Sequence, residues 1–499
     1  MRLRRIEVDS FRAFGSASFD VPESGVVLVA GVNNAGKSAL LSAIDILAFG
    51  NQYPEQQNYR SGRESRMTAT FRLDSGEREA LLYSSSDPAL ANSDCLRDVT
   101  WELSGNAGQL SIGELRTHWP NRGEIVIARA TPAGGTLRVE VNQAQAVLAG
   151  QSGQEFGLIE TGSVSGDPNV LRSAVQLGLF GPLAGFCNTW AAGLYHFRAL
   201  RPGTSGDTYP GRAEQRLSPT GENLPAVRNS LYHNRRELYE SLKERIKKIV
   251  PGIGELHLPL EGDQIRIVFT DPDVPNARLN LKSLGTGVEQ LLMTLVVGLM
   301  EEGPSAVIIE EPETNLHPGA QRALLALIRE WSSTRPYILA THSPVFLNAS
   351  YRTDVLLVTR QSGESHVRSL GTRSLEALHE LGVQLSDVLS ADRLLLLEGP
   401  SDEGVLSVWF PEHMTNPRLA VIHAPGGDGA RYAHHLQAWL SQADRLGDRR
   451  VLYLRDRDEL PEHEAREDRR RQGGTWSRTG ELSARRGCTH HSRSGTKKR

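Results

Sequence analysis

The sequence predicts an α/β protein: a P-loop domain followed by a second, smaller α/β unit. Three observations predict it. Gly31–Ser38 reads GVNNAGKS and fits G-x-x-x-x-G-K-[ST], between an apolar run, Val26–Ala30, and a helical apolar pattern, Ala39–Leu47. Two further apolar runs, Ala306–Ile309 and Tyr337–Ala340, each end in chemistry-bearing residues, Glu310-Glu311-Pro312-Glu313 and Thr341-His342-Ser343-Pro344. Beyond them, Arg393–Leu397, Leu419–His423 and Arg450–Leu454 read as strands alternating with helices, with acids at two of their ends.

In the first motif, strand, glycine turn and helix form the setting that phosphate binding needs. Backbone N–H groups of Gly31, Asn33, Asn34, Gly36 and Ala39 would curl around the phosphates of ATP, aided by the helix N-terminus. Lys37 would reach the β- and γ-phosphates, and Ser38 would hold Mg²⁺. Before the motif, Arg2–Phe19 alternates as strands around a turn. Phe11, Arg12 and Phe14 read first as sheet packing there, with adenine contact as the second reading.

Composition narrows the setting. The 499 residues allow two to four domains, and 39% hydrophobic with 23% charged content is that of a globular protein. A formal charge of −3 gives no global attraction to nucleic acid, so any DNA-binding surface must be a local patch. Cys95, Cys187 and Cys488 lie too far apart in sequence for a zinc spacing or a disulfide framework, which suits a reducing cytoplasm. MRLRRIEVDSF has no apolar stretch of the signal-peptide kind, and the most apolar run, Leu291–Met300, is about half a membrane span, so no membrane association is expected.

Along the chain, Asn51–Gly62 is polar and holds Gln52, Gln56 and Gln57, candidates for a glutamine that senses the metal. Arg63–Val141 reads as β-rich, Gln143–Ala192 as Gly-rich and then helical, and Arg201–Leu217 as a linker. Asn223–Ile249 reads as one long amphipathic helix, either a lever or oligomer contact or an ordinary surface helix. Ser283–Gln290, SLGTGVEQ, leads into the apolar helix Leu291–Met300; its glycine turn offers donors for an anion. At Glu310 and Glu311, one carboxylate would serve the Mg²⁺ shell and the other would polarise the attacking water. His342 would reach the γ-phosphate, and helices are expected over Gln321–Trp331, Ser374–Leu389 and Gly404–Phe410.

The order of these motifs resembles the ATP-binding-cassette (ABC) head shared by SMC, RecF and the overcoming-lysogenization-defect (OLD) ATPases, over roughly residues 1–365. The form EEPE-x-x-LHP is especially like the OLD group. The resemblance implies that Gly31–Ser38 is the Walker A loop and Ser283–Gln290 the signature, with Ser283, Gly285, Gly287 and Gln290 at the nucleotide. It makes Glu310 the Mg²⁺-side acid, in place of the usual Asp, and Glu311 the catalytic base. Asn315 falls in the D-loop, and His342 is similar to the switch histidine. Because the signature of such heads completes the site of the opposite subunit, a homodimer or higher oligomer is the expected working unit.

In the last hundred residues, Glu398, Asp456 and Asp458 form a carboxylate set suited to Mg²⁺, and two such ions would cleave a phosphodiester. Asp-x-Asp on an extended segment puts both carboxylates on one face. With the glycine loop Pro425–Gly429 between them, these residues resemble a Toprim domain over 391–460, after a helical connector at 366–390. Glu398 looks like its catalytic acid, Asp456 and Asp458 like its metal-binding pair, and Asp402 like an outer metal residue, with Mn²⁺ as an alternative ion. The match ends early. Residues 461–499 are basic and nearly free of aliphatic residues, and are expected to be disordered. The stretch reads as a DNA-binding arm or, preferably, as the product of a truncation or frameshift that leaves the Toprim-like domain incomplete. Glu459, Glu462 and Glu464 are then candidate replacements for a missing acid.

A head followed by Toprim is the domain order of OLD-family nucleases, including the nuclease subunit of Gabija-type antiphage systems. The resemblance thus implies an ATP-regulated, metal-dependent DNA endonuclease in defence or DNA processing, with DNA and a helicase as partners. The alternative is an ATP-switched DNA-binding or sensor protein with an inactive Toprim domain. A topoisomerase, a primase and a transporter ATPase each fit the residues less well.

Overall fold

The P-loop strand lies inside the parallel part of one very large sheet. In this computed structural model most residues between 2 and 454 are described; the main stretches outside the description are 50–62, 83–95, 143–157, 166–192, 199–207, 371–383, most of 424–449 and 455–499. The sheet orders its first five strands as Leu194–Phe197, Ala306–Glu310, Pro336–Thr341, Gly25–Ala30 and Asp354–Gln361, all parallel. Parallel strands are covered on both faces, which explains why the sequence shows them as unbroken apolar runs. Every residue of AVIIE and PYILAT is buried.

The sheet continues through Glu364–Leu370, Phe14–Asp20, Arg2–Phe11 and Ser65–Arg72, then turns into an antiparallel meander from Asp98–Asn106 to Leu158–Ser165, fourteen strands in all. The region read as β-rich is therefore an extension of the P-loop sheet. Glu364–Leu370 pairs along its length with Asp354–Gln361, so the sheet runs past residue 365.

Register brings the chemistry to one end. Glu310 lies level with Ala340, and Thr341 with Ala30, so Gly31, Glu311 and His342 leave neighbouring parallel strands together at their C-terminal ends. This is where open α/β sheets hold ligands. A P-loop and an acidic strand end brought together at the C-terminal ends of a parallel sheet make this a P-loop α/β fold.

Several elements differ from the sequence expectation, among them the strand Leu158–Ser165, which falls in the stretch read as Gly-rich and then helical, and the helix expected from Gln321, which begins at Pro318. Asn223–Ile249 is two helices, Leu224–Asn234 and Arg236–Ile249, parted at Arg235. The Tyr232 and Tyr239 rings meet at 5.1 Å, whereas seven residues of straight helix span about 10 Å. The Arg236 guanidinium stacks 4.5 Å from the Tyr232 ring. The signature helix starts at Thr286, not at Leu291, so Gly287 and Gln290 are helical. The helix Pro400–Trp409 begins four residues before the expected Gly404. Of Ser374–Leu389, only the end is described, as the helix Leu385–Ser390.

The chain divides into two compact units, the second beginning at Asp392. Its described core is a parallel sheet with Arg393–Leu397 between Leu419–His423 and Arg450–Leu454. No helix among the described residues is long and apolar enough to cross a membrane.

Candidate functional site

The glycine turn has the backbone that its sequence demands. Gly31 (φ 156°), Asn34 (φ 65°) and Gly36 (φ 112°) adopt positive φ, which glycine accepts readily and asparagine tolerates. A Cβ on Gly31 would lie 2.3 Å from the Val358 carbonyl oxygen, and one on Gly36 would meet Ser365 Oγ at 2.9 Å and the Phe14 ring at 3.1 Å. Phe14 is thus a fully buried floor beneath the loop, as the packing reading had it. Ser365 Oγ and the Arg360 guanidinium donate to the carbonyls of Ala35 and Asn34, at 2.7 and 3.4 Å.

Lys37 opens the helix Lys37–Phe49 and donates its amine to the carbonyls of Gly31 (2.8 Å) and Val32 (3.2 Å). Burial pushes that amine below its usual value, against the pull of Glu311, Glu313 and Glu310. A part-buried cation inside a cradle of positive-φ backbone fits a polyphosphate. Ser38 Oγ donates to Glu310 Oε2, so the two residues expected at the metal are in direct contact.

Glu310 is the last residue of its strand and is 5% exposed. Burial favours its neutral form, but hydrogen bonds from His196 and Ser38 outweigh this and hold its carboxyl below the usual range. Glu311 has left-handed backbone (φ 48°), its N–H donates to Ala340 O (2.7 Å), and Thr314 Oγ1 donates to its Oε2 (3.2 Å). Such a conformation costs about 1–3 kcal/mol and persists only where its surroundings impose it.

Glu313, the third acid of the motif, has a role that the sequence reading did not assign. Its Oε1 accepts the N–H groups of His342 and Ser343, both at 3.1 Å, while its Oε2 is buried with no hydrogen-bond partner. It joins the Walker B turn to the switch segment. His342 itself is half-exposed, with Nδ1 3.6 Å from Glu313 Oε1. The flanking prolines have local explanations: Pro318 and Pro344 open helices capped by the His317 and Ser343 side chains.

Within the signature, Gly287 packs on the D-loop of its own chain. A Cβ there would lie 2.9 Å from Asn315 Cβ and 3.0 Å from the carbonyl oxygens of Asn315 and Thr314. Gln290 is buried, and its Nε2 donates to the Glu310 and Glu311 carbonyls at 3.4 and 3.3 Å. Its amide is thus turned to the Walker B turn of its own chain, a placement that the sequence did not indicate. Asn33 and Asn34 are exposed at the turn and Ala39 is partly buried. Gly285 and the Ser283 side chain lie outside the described residues, as do Gln52, Gln56 and Gln57.

The sequence reading missed His196, Asp45 and Arg198. His196, on the strand beside Ala306–Glu310, lies with Nδ1 2.7 Å from each oxygen of Asp45 and Nε2 2.9 Å from Glu310 Oε1. Burial lowers its pKa, but the bonds to Asp45 and Glu310 prevail, and the ring is held above its ordinary value. Arg198 donates to Asp45 Oδ2 at 2.8 Å. Arg12 belongs to the same electrostatic cluster; its pKa is lowered by burial and then by Arg198, against Glu310 and Asp45. The sequence signal was slight: an acid seven residues after Ser38 in an apolar helix, and a histidine within an apolar strand.

In the second unit, Glu398 directly follows Arg393–Leu397 and its Oε1 accepts from Tyr453 Oη at 2.9 Å. Asp402 Oδ2 accepts the Gly399 N–H at 3.1 Å, capping the helix Pro400–Trp409; this is a structural duty beside the metal role expected of it. Asp456, Asp458, the glycine loop Pro425–Gly429 and Glu459, Glu462 and Glu464 lie outside the described residues. Among the described residues no group of three His, Cys, Asp or Glu side chains is placed to hold a metal.

Comparison with known proteins follows the motifs. A family profile described as "AAA domain" matches residues 1–84, and one described as "AAA domain, putative AbiEii toxin, Type IV TA system" matches 212–348. The chain is 29% identical over 264 residues to a protein named OLD nuclease from Thermus scotoductus, covering 43% of this chain and 49% of the relative. It is 36% identical over 118 residues to Endonuclease GajA from Bacillus cereus, covering 22% and 20% of the two chains. Both relatives are named as nucleases. The Old nuclease of Escherichia phage P2 is 22% identical over 250 residues, 42% of each chain. The chain thus spans half or less of the length of these curated relatives. Among solved structures, an SMC head bound to the C-winged helix domain of ScpA covers 74% of this chain and 98% of its own at 12% identity and a TM-score of 0.45. The SMC head domain from Thermotoga maritima covers 74% and 100% at 14% identity and a TM-score of 0.36.

Proposed function

We propose that the chain binds and hydrolyses ATP at Gly31–Ser38 and uses this to regulate a metal-dependent DNA endonuclease in its Toprim-like second unit. One observation carries the ATPase part: Lys37, Ser38 and Glu310 meet at the mouth of a positive-φ cradle, with Glu311 adjacent. ATP with Mg²⁺ supplies the transferable phosphoryl group and the charge that orients it. The Gly31–Gly36 backbone and Lys37 would hold the phosphates, while Ser38 and Glu310 would hold the metal. Glu311 takes the proton of the attacking water, and His342 reaches toward the γ-phosphate from the adjoining strand end. Ser283, Gly285 and Gly287 complete the site of a second copy, so the working unit is a homodimer or a higher homo-oligomer. Gln290 instead links the signature helix to the Walker B turn.

For the nuclease part, support comes from Glu398 at a parallel-strand end and from register. Leu397 and Leu454 lie level, so the strands that precede Glu398 and Arg455 end on the same side of the sheet. Glu398, Asp456 and Asp458 would hold Mg²⁺ or Mn²⁺, which would supply the charge and the activated water for phosphodiester cleavage of DNA, in a unit that begins at Asp392. Defence against phage, a helicase partner and a cytoplasmic location extend this reading.

The test is nicking of supercoiled plasmid by the full chain in Mg²⁺ or Mn²⁺, with and without ATP. Absence of cleavage in every condition, with ATP still hydrolysed, overturns the nuclease part. The alternative, an ATP-switched DNA-binding protein, is favoured if Asp456→Ala and Asp458→Ala leave every DNA effect unchanged.

A further inference from the structure

One histidine ties the P-loop helix to the Walker B strand. The His196 ring is enclosed between Asp45 and Glu310, with side chains only 3%, 11% and 7% exposed. Asp45 lies on the same helix as Ser38, seven residues on, two turns along. Both ring nitrogens face carboxylates, 114 residues from His196 in one direction and 151 in the other. Arg198 bonds Asp45 from outside the trio. A helix-to-sheet ion pair alone would explain burial and charge balance. It would not explain the division of Glu310: Oε1 goes to His196, and Oε2 goes to Ser38, the hydroxyl that closes the phosphate loop.

We propose that His196 is a positioning residue: braced by Asp45, it fixes Glu310 by one oxygen so that the other is presented at Ser38. The inference rests on the reading of Glu310 as the Mg²⁺-side acid. Partners that orient a metal-binding side chain typically change metal affinity by about 10- to 100-fold when removed. Here the oriented group is a carboxylate and the orienting group an imidazole. The Asp45 carboxylate opposite, with both oxygens 2.7 Å from Nδ1, fixes the plane of the ring.

The experiment uses the full chain and mant-ATP, a fluorescent nucleotide, titrated with Mg²⁺ and separately measured in EDTA. His196→Ala raises the half-saturating Mg²⁺ concentration about 10- to 100-fold, while mant-ATP binding in EDTA stays close to that of the unaltered chain. His196→Gln, which keeps a donor toward one carboxylate only, falls between. A folded His196→Ala chain with a lower Tm but the same half-saturating Mg²⁺ makes His196 a brace alone and overturns the proposal. If that variant does not fold, Asp45→Asn, of nearly equal volume, reads the same quantity, and an unchanged value there overturns it. Glu310→Gln separates the layers. A shift in Glu310→Gln without one in His196→Ala sinks only the positioning role; no shift in Glu310→Gln removes the metal-side reading and this inference with it.

Discussion

Glu310 and Glu398 both stand at the C-terminal ends of parallel strands, yet the protein treats them differently. Glu310 is buried and is gripped by Ser38 and His196, residues from a helix and a strand far apart in sequence. Glu398 is half-buried, and the tyrosine that bonds it comes from the adjacent strand of its own small sheet. The difference teaches where preorganisation is built in. Fixed donors around a charge act without reorganising during the reaction, and more strongly where water is excluded. The head acid has such surroundings within this chain, drawn from two distant segments, whereas the tyrosine hydroxyl on Glu398 comes from its own sheet.

The largest expected effect separates the two acids outright. Glu398→Ala lowers plasmid nicking by roughly 10²- to 10⁴-fold, the scale of losing a positioned acid or base, and leaves ATP hydrolysis within about twofold. A matching fall in ATP hydrolysis would show that the two acids are not independent. On the head side, Glu311→Gln lowers ATP turnover on a similar scale, about 10²-fold or more, and preserves mant-ATP binding. Turnover at the unaltered rate would move the base elsewhere, with His342 the next residue to test. Lys37→Ala comes third. It removes charge-assisted bonds worth about 1.5–3 kcal/mol each, so ATP binding weakens at least tenfold as read by mant-ATP titration; unaltered affinity would mean that the cradle holds phosphate by backbone alone.

The parts of this comparison that were legible in the sequence are those written locally. Continuous apolar runs announced the parallel strands, because burial on both faces leaves no alternation to disguise them. GVNNAGKS announced its own turn, since its glycines mark the positive-φ positions. His196 was not legible: an isolated histidine in an apolar strand carries no sign of the two carboxylates it will meet, more than a hundred residues away in each direction. The inward turn of Gln290 was hidden for a related reason, as its acceptors are backbone carbonyls that every sequence offers. At Arg235, helix-compatible residues continue through the break, and the ring packing of Tyr232 on Tyr239 decides the geometry. Asp402 shows how one acid reads as a metal residue by motif and as a helix cap by position.

The smallest effect probes how the signature is tied to the head's acids. Gly287 sits in the first turn of the helix Thr286–Leu299, where alanine would ordinarily favour the helix by about 1 kcal/mol. The contacts oppose that gain. A Cβ would lie 2.9 Å from Asn315 Cβ and 3.0 Å from two backbone oxygens, which cannot swing aside as a flexible side chain would. Overpacking of this kind costs about 1–3 kcal/mol, so Gly287→Ala is expected to be net destabilising by roughly 1 kcal/mol and to lower Tm modestly. Asn315 has left-handed backbone at φ 58° and lies four residues after Glu311. Any shift of that turn therefore passes toward Glu311, the proposed base, and ATP turnover is expected to fall more than mant-ATP binding. A higher Tm with unchanged turnover would mean that the signature helix is not packed against Asn315, and that the link between signature and Walker B rests on Gln290 alone.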